Sequence, residues 1–343
     1  MGGSMKAILA RATGGFELTE VAVPTIGPGE LLLEMRACGL CGTDLAKLAN
    51  PEHATGLRLG HELAGVVREV GAGVRRFAPS DRILVAHHVP CGTCWACRHG
   101  HESMCPQFKA TNLDPCGFAE LIRVPAIHLE QVAFALPPAM SFEVASFAEP
   151  LACAVRALHR SQVQPGDRMA VIGGGGMGLL IAQAMAARGA YPLVLDIAEA
   201  RLELARRVGI TSLLSPVRED VGQAVAALTE GVGLDGVILT VLTQATLDQA
   251  RGMLRPGGGI NVFAGPANGN SLSLDFDALY HRELALFSTY SSTPAALAEA
   301  VELLASGRVA VEPLISHRLP LADFAQGVHL QRTGSATKVL FHP

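Results

Sequence analysis

The sequence has no block of like charge. Its 27 Lys and Arg and 31 Asp and Glu are scattered, and the net charge is −4, so no basic face is offered to a nucleic acid. Internal repeats and low-complexity tracts are missing too, which excludes a repeat architecture. Charged residues make up only 17% against 49% hydrophobic, a balance that excludes a disordered chain. A clean membrane span is also lacking. The most apolar stretch, Met169–Ala187, has Gln183 as its one polar side chain, but it holds five glycines, four of them consecutive. A buried strand, a glycine turn and a packed helix account for it better than a span does. No secretory pattern opens the chain; Met1–Ser4 (MGGS), followed by Met5, reads as an expression scar and is set aside.

What the chain does have is cysteine in an uneven distribution. Cys38, Cys41, Cys91, Cys94, Cys97, Cys105, Cys116 and Cys153 make eight in 343 residues. An even count permits disulfides, but a long chain without a secretory pattern argues for free thiols, a reducing compartment and hence the cytoplasm. Four of the eight follow C-x2-C-x2-C-x7-C: Cys91, Cys94, Cys97 and Cys105. They lie among Gly92, Thr93, Arg98, His99, Gly100 and His101, in a polar loop with little of its own to bury. Four thiolates suit a closed tetrahedral zinc site that would organise such a loop. His99 and His101 then read as solvated loop residues. Cys38, Cys116 and Cys153 read as packing residues.

The length allows two domains. Before Glu149 the chain reads mostly as short strands and turns, with β-rich runs at Met5–Ala10, Leu31–Ala37 and Leu63–Val70. Phe142–Arg160 has helical spacing. From Asp167 strand and helix alternate: strands at Met169–Ile172, Leu193–Leu195, Gly236–Val241 and Gly259–Phe263, helices at Met177–Arg188, Ala198–Val208 and Thr246–Leu254. That alternation predicts a doubly wound parallel sheet. Helices at Pro294–Ala305 and Ala322–Gln331 and a strand at Lys338–Phe341 close the chain.

Residues 173–178 read GGGGMG, so Gly173, Gly175 and Gly178 fill the G-x-G-x-x-G positions, with Gly176 and Met177 between. An apolar strand precedes the loop, an apolar helix follows it, and Asp196 ends the next strand 18 residues after Gly178. Glycines let the backbone approach a pyrophosphate at a helix N-terminus. Asp196 would accept hydrogen bonds from the adenosine ribose and repel a 2′-phosphate, so NAD is expected in preference to NADP. Arg201, five residues on, weakens that preference.

Several motifs fall in a recognisable order: GLCGTDL at 39–45, GHELAG at 60–65, the four-cysteine lobe, GFAEL at 117–121, AEPLACA at 148–154, the glycine loop, LRPGGG at 254–259 and ISHRLPL at 315–321. In this order they resemble the zinc-containing medium-chain alcohol dehydrogenases, above all the polyol (sorbitol-like) and threonine dehydrogenase branches. The resemblance implies an α/β fold with a groES-like catalytic β domain at 1–150 and 288–343, a structural zinc lobe at 88–108, and a Rossmann domain at 151–287. It implies two zinc ions per chain. Cys41, His61 and Glu149 would hold the catalytic ion, with Glu62 an interchangeable fourth ligand and one position open. The lesser alternative for Glu149 alone is a helix N-terminal acid interacting with the dipole.

Thr43 matches the hydroxyl that starts the family's proton relay. Ala46 stands where many relatives have the next relay histidine, and His88 is a candidate substitute, with His87 a weaker one. Ser288-Thr289-Tyr290 replaces the Phe-Arg-Tyr of sorbitol dehydrogenases. The hydroxyl-rich run from Thr289 to Thr293 could line a substrate pocket or form a capping turn before Pro294. The implied activity is reversible oxidation of a secondary alcohol, in a polyol or sugar derivative, to a ketone with NAD. The alternatives are a threonine-type amino-alcohol dehydrogenase and a non-enzymatic dinucleotide-binding protein. A homotetramer or homodimer, with no nucleic-acid or membrane partner, completes the expectation.

Overall fold

The computed structural model describes residues 3–11, 14–49, 59–265 and 271–343. They form two compact units. The first comprises the chain up to Glu149 together with Thr293–Ala305 and Leu314–Pro343; the second comprises Pro150–Ser292 and Ser306–Pro313.

The first unit is built on Leu31–Gly39, a strand buried along nearly its whole length. It pairs antiparallel with Glu62–Val70, with Val339–His342 and, off the main path, with Leu121–Val124. His317–Pro320 lies outside Val339–His342, and Arg82–Val85 and Ala133–Ala135 extend the sheet beyond Glu62–Val70. The register sets the position of several polar side chains. Gly39 is opposite Glu62 on one side and Leu340 on the other, so residues 38–41, 61–62 and 338 arrive at the same end of the sheet. Aromatic residues are only 5% of the chain, yet Phe16, Phe118, Phe324 and Phe341 gather in one cluster with ring centroids 4.8–5.4 Å apart. Such pairs add about 0.5–1.5 kcal/mol each beyond their burial.

The second unit has six parallel strands. In spatial order they are Leu213–Leu214, Tyr191–Leu195, Arg168–Ile172, Leu234–Leu239, Leu254–Val262 and Ala285–Ser288. In chain order this is 3-2-1-4-5-6, the doubly wound arrangement with a switch point beside its first strand. Ala170, Ile172, Leu193, Leu195, Val237 and Leu239 are among the buried residues of its core. Gln183, the polar exception in its apolar stretch, is satisfied by both backbone groups of Ala310.

Three expectations need adjustment. Phe142–Arg160 is two helices, Phe142–Ser146 and Ala148–Arg160, because Pro150 cannot donate to an earlier carbonyl and is tolerated only in a first turn. The segment 288–343 is not one piece of the first unit. Ala285–Ser288 adds a strand to the parallel sheet, and the first unit resumes only at Thr293. Ser306–Pro313 belongs with the second unit, where Gln183 anchors Ala310. Among the described residues, no helix is long and apolar enough to cross a membrane.

Candidate active site

The end of the first unit's sheet gathers Cys41, His61 and Glu62, whose ligand atoms all lie within 4.8 Å of one another. Each is placed by local structure. Cys41 immediately precedes the helix Gly42–Ala49, and Thr43 N–H lies 3.5 Å from its sulfur. Gly60 (φ 81°) turns the chain into the strand that begins at Glu62; a Cβ there would press on Phe118, which forces glycine.

Asp44 holds the pieces together, and the sequence alone does not single it out, although it lies within the GTDL motif. It is fully buried and accepts from Cys41 N–H (3.1 Å) and Gly60 N–H (3.0 Å); its Oδ1 lies 3.4 Å from His61 Nδ1. Burial opposes its charge, but His61 and the two backbone donors outweigh burial and lower its pKa. Burial likewise opposes protonation of His61, yet Asp44 and Cys41 outweigh it and raise that pKa well above the ordinary value. With Nδ1 beside Asp44, Nε2 is the nitrogen that could ligate a metal. A thiolate, an oriented imidazole and buried carboxylates form a donor set that fits zinc. Glu149 is buried in the first turn of Ala148–Arg160. It lies outside the closely spaced trio but acts electrostatically on Lys338.

Lys338 is a site residue that sequence reasoning misses, because in the sequence it only opens the closing strand. It forms an ion pair with Glu62, donates to Leu40 O at 3.3 Å, and lies 5.7 Å from the centre of the Phe147 ring. Burial favours its neutral form, but Glu62, Cys41 and Glu149 outweigh burial and raise its pKa, so it stays charged. Gly39 leaves the space: a Cβ there would overlap the Glu62 carboxylate and press on the Lys338 side chain. A lysine near the start of a closing strand carries no sequence signal of this pairing.

A row of imidazoles adjoins the site. The His61 and His87 ring centroids are 4.7 Å apart and those of His87 and His88 are 3.8 Å apart. His88 is turned away, with Nδ1 2.7 Å from Thr111 O and its ring against Phe108. Burial pushes its pKa down to about 4. Burial, with His61 and His88, takes His87 well below the usual range. The histidine packed on His61 is therefore His87.

In the lobe, the four thiols of Cys91, Cys94, Cys97 and Cys105 lie mutually within 4.8 Å. The Cys94–Cys97 and Cys91–Cys97 sulfur distances are 3.5 and 3.9 Å, and all four cysteines are free thiols. Tetrahedral Zn–S bonds of about 2.3 Å would separate sulfurs by about 3.8 Å, so the cluster fits zinc. Hydrogen bonds from Thr93 and Cys94 push Cys91 down to about 6, while burial and the bond with Cys94 push Cys97 up to about 12. His99 and His101 stack with the exposed Trp95 and stand outside the cluster. Cys38 and Cys116 are buried, and burial raises both thiols.

In the second unit the three fingerprint glycines differ in what surrounds them. Gly173 makes the turn at φ 109°. A Cβ on Gly175 would meet nothing within 4 Å, so this stretch of backbone is open to a ligand. A Cβ on Gly178 would overlap Gly173 O, so only glycine lets the helix Gly176–Ala187 pack this closely, with Met177 in its first turn. Asp196 accepts from Gly174 N–H (2.7 Å) and Ala198 N–H (2.8 Å), and Arg201 pairs with it at 3.3 Å. Gly178→Ala is expected to weaken NADH binding at least about tenfold, as titrated by nucleotide fluorescence, because the strand–helix turn must open.

Two hydroxyls of the run are engaged internally. Thr289 is buried and donates to Asn261 Oδ1 at 3.0 Å, and Thr293 caps the following helix through Ala296 N–H at 3.2 Å.

Residues 27–134 match the alcohol dehydrogenase GroES-like domain and residues 176–306 the zinc-binding dehydrogenase domain. The chain is 32% identical over 351 residues to L-threonine 3-dehydrogenase of Bacillus velezensis, covering 100% of both. It is 29% identical over 352 residues to sorbitol dehydrogenase of Bacillus subtilis, covering 99% of this chain and 98% of that one. A zinc-binding dehydrogenase from Sinorhizobium meliloti, solved with NADP bound, superposes with a TM-score of 0.88 at 29% identity, over 99% of this chain and 100% of that one.

Proposed function

The chain belongs to the zinc-containing medium-chain alcohol dehydrogenase family, and on that premise we propose that it oxidises a secondary alcohol bearing further polar groups, a polyol or sugar derivative, to a ketone with NAD. The supporting observation is the trio Cys41, His61 and Glu62, its histidine and glutamate buried, with Asp44 beside the imidazole. Cys41, His61 and Glu149 would hold the metal, and Glu62, restrained by Lys338, would be an exchangeable ligand. Zinc bound there supplies Lewis acidity that favours loss of the hydroxyl proton. Thr43 receives that proton at its hydroxyl and passes it onward; Ala46 offers no next acceptor, so the route from Thr43 leads to cofactor ribose or water. A bound nicotinamide cofactor would supply the hydride acceptor. The four lobe cysteines would hold a second, structural zinc as thiolates. The active form is a homodimer or homotetramer, as the family resemblance implies.

For the cofactor, Asp196 supports NAD, whose ribose hydroxyls it would meet. Arg201, already beside that carboxylate, offers a cation to a 2′-phosphate, so NADP is used more weakly. A second reading, oxidation of a threonine-like amino alcohol, is favoured by the 32% identical relative named for that substrate.

The deciding experiment is NADH formation by zinc-loaded protein with polyols, inositols, simple secondary alcohols and threonine, with Cys41→Ser alongside. Turnover of polyhydroxylated compounds supports the first reading and turnover of threonine the second. Cys41→Ser is expected to lower kcat roughly a thousandfold while NADH binding stays within about twofold, since a metal contributes several kcal/mol of transition-state stabilisation. Unchanged turnover in that variant would refute catalysis at this centre.

A further inference from the structure

The glycine loop opens on the peptide that joins Gly173 to Gly174. With glycine on both sides, no Cβ restricts its rotation. Two side chains from the flanking strands hold it instead. Its N–H donates to Asp196 Oδ2 at 2.7 Å, and Asp196 directly follows the strand Tyr191–Leu195. Its C=O lies 3.2 Å from the hydroxyl of Thr240, which directly follows Leu234–Leu239 on the other side of the first strand. A peptide unit is planar, so a hold at each end fixes its orientation.

The Thr240 hydroxyl has one proton and two carbonyls in reach, Ile172 O at 2.9 Å and Gly173 O at 3.2 Å. Ile172 O already accepts from Thr240 N–H at 3.1 Å. Among the described residues, the hydroxyl is the one hydrogen-bond donor to Gly173 O. The packing leaves no slack around it. A Cβ on Gly173 would overlap the hydroxyl, and a Cβ on Gly178 would overlap Gly173 O.

We propose that Thr240 is a positioning residue, whose hydroxyl holds the Gly173 carbonyl so that the glycine loop is set for a pyrophosphate before the dinucleotide arrives. This role rests on the nicotinamide-cofactor reading and deepens it. Without the hydroxyl, Gly173 O loses its donor, and a peptide between two glycines is free to turn toward another. The loop must then be ordered on binding, a cost that affinity bears. That cost falls on ligands carrying the pyrophosphate, because the loop and the helix N-terminus behind it receive that group.

The test is a fluorescence titration of the zinc-loaded full chain with NADH. Thr240→Val keeps the branched shape and removes the hydroxyl, and it is expected to raise the Kd of NADH about fivefold, the worth of one hydrogen bond. ADP-ribose, competed against NADH, should weaken by the same factor. Adenosine, which lacks the pyrophosphate, should stay within about twofold of wild type. Thr240→Ser, which keeps a hydroxyl, should return all three ligands toward wild type. An NADH Kd within about twofold of wild type in Thr240→Val overturns the proposal. Equal weakening of adenosine also overturns it, because a merely structural loss weakens every ligand of the domain.

Binding is read without turnover, so the two readings separate. Wild-type protein that binds NADH through Thr240 but oxidises no alcohol refutes the dehydrogenase reading and leaves the role of Thr240 standing. Turnover in wild type, with NADH affinity unmoved in Thr240→Val, refutes the role of Thr240 alone. Wild-type protein that binds no NADH refutes both.

Discussion

Lys338→Met is expected to tighten zinc binding while lowering both turnover and the stability of the metal-free protein. The three effects share one cause. In the native protein the ammonium is buried against Glu62, under a glycine that leaves it room. Removing one partner of a buried pair leaves the other charge uncompensated and typically costs about 3–5 kcal/mol, so metal-free protein should melt several degrees lower. Zinc offers the stranded Glu62 carboxylate another partner. The loaded variant should therefore surrender metal to a chelator at least about tenfold more slowly, and its kcat should fall because a further carboxylate occupies the position the substrate needs. Lys338→Arg, which keeps the charge, should return all three values toward wild type.

The pH dependence has a definite sign. A lysine whose folded pKa is raised contributes fully below its unfolded pKa, and the contribution is lost only as pH rises through the folded value. From the lysine's side, the stability difference between wild type and Lys338→Met is flat near neutrality and shrinks only in strong alkali. A difference that vanished near neutrality would mean that Lys338 is not charged in the folded protein.

Lys338 also marks the limit of what local sequence encodes. Motifs that act through local spacing are legible. The four thiols are three and eight residues apart, and the structure gathers them in one cluster. Two of the glycines that the fingerprint selects, Gly173 and Gly178, meet a geometric demand. Cys41, His61 and Glu62 are legible as a group because two motifs carry them. The pairing of Glu62 with Lys338 is not legible, since it depends on Gly39 facing Glu62 and Leu340 across three strands drawn from both ends of the chain. No local pattern encodes that register.

Asp44 is visible within GTDL, but its role depends on Gly60, sixteen residues later, bringing His61 back to it. The imidazole row misleads in a different way. Adjacent histidines look equivalent in sequence, and only packing separates His88, engaged by Thr111, from His87, packed against His61. The broken helix at Phe147 is legible in principle from Pro150, but helical periodicity runs through the break without interruption.

Cys105→Ser is expected to cut the metal content from two ions per chain to one and to unfold the lobe locally. Among the lobe cysteines Cys105 is the buried one, and its sulfur lies 3.4 Å from Cys91 N–H, so it ties the two ends of the lobe together. The lobe has few other means of support. Its helices, Trp95–Arg98 and Pro106–Ala110, are one turn long, and neither has a side-chain cap. Trp95 is exposed to 64%, so the largest side chain in the lobe contributes little burial. Structural zinc in isolated small domains contributes roughly 10–16 kcal/mol of apparent binding energy that becomes folding energy. Even a modest share of that exceeds what these short helices supply.

Amide exchange over residues 88–108 should accelerate at least about a hundredfold in Cys105→Ser while the parallel sheet of the second unit keeps its protection. Wild-type protein stripped of its metal by a chelator should reproduce the same exchange pattern in the lobe. Protection unchanged in both samples would mean that the lobe folds on its packing alone and that the four thiols are not a structural metal site. Protection lost in the variant but retained in the stripped wild type would place the effect on the buried Cys105 side chain rather than on the metal.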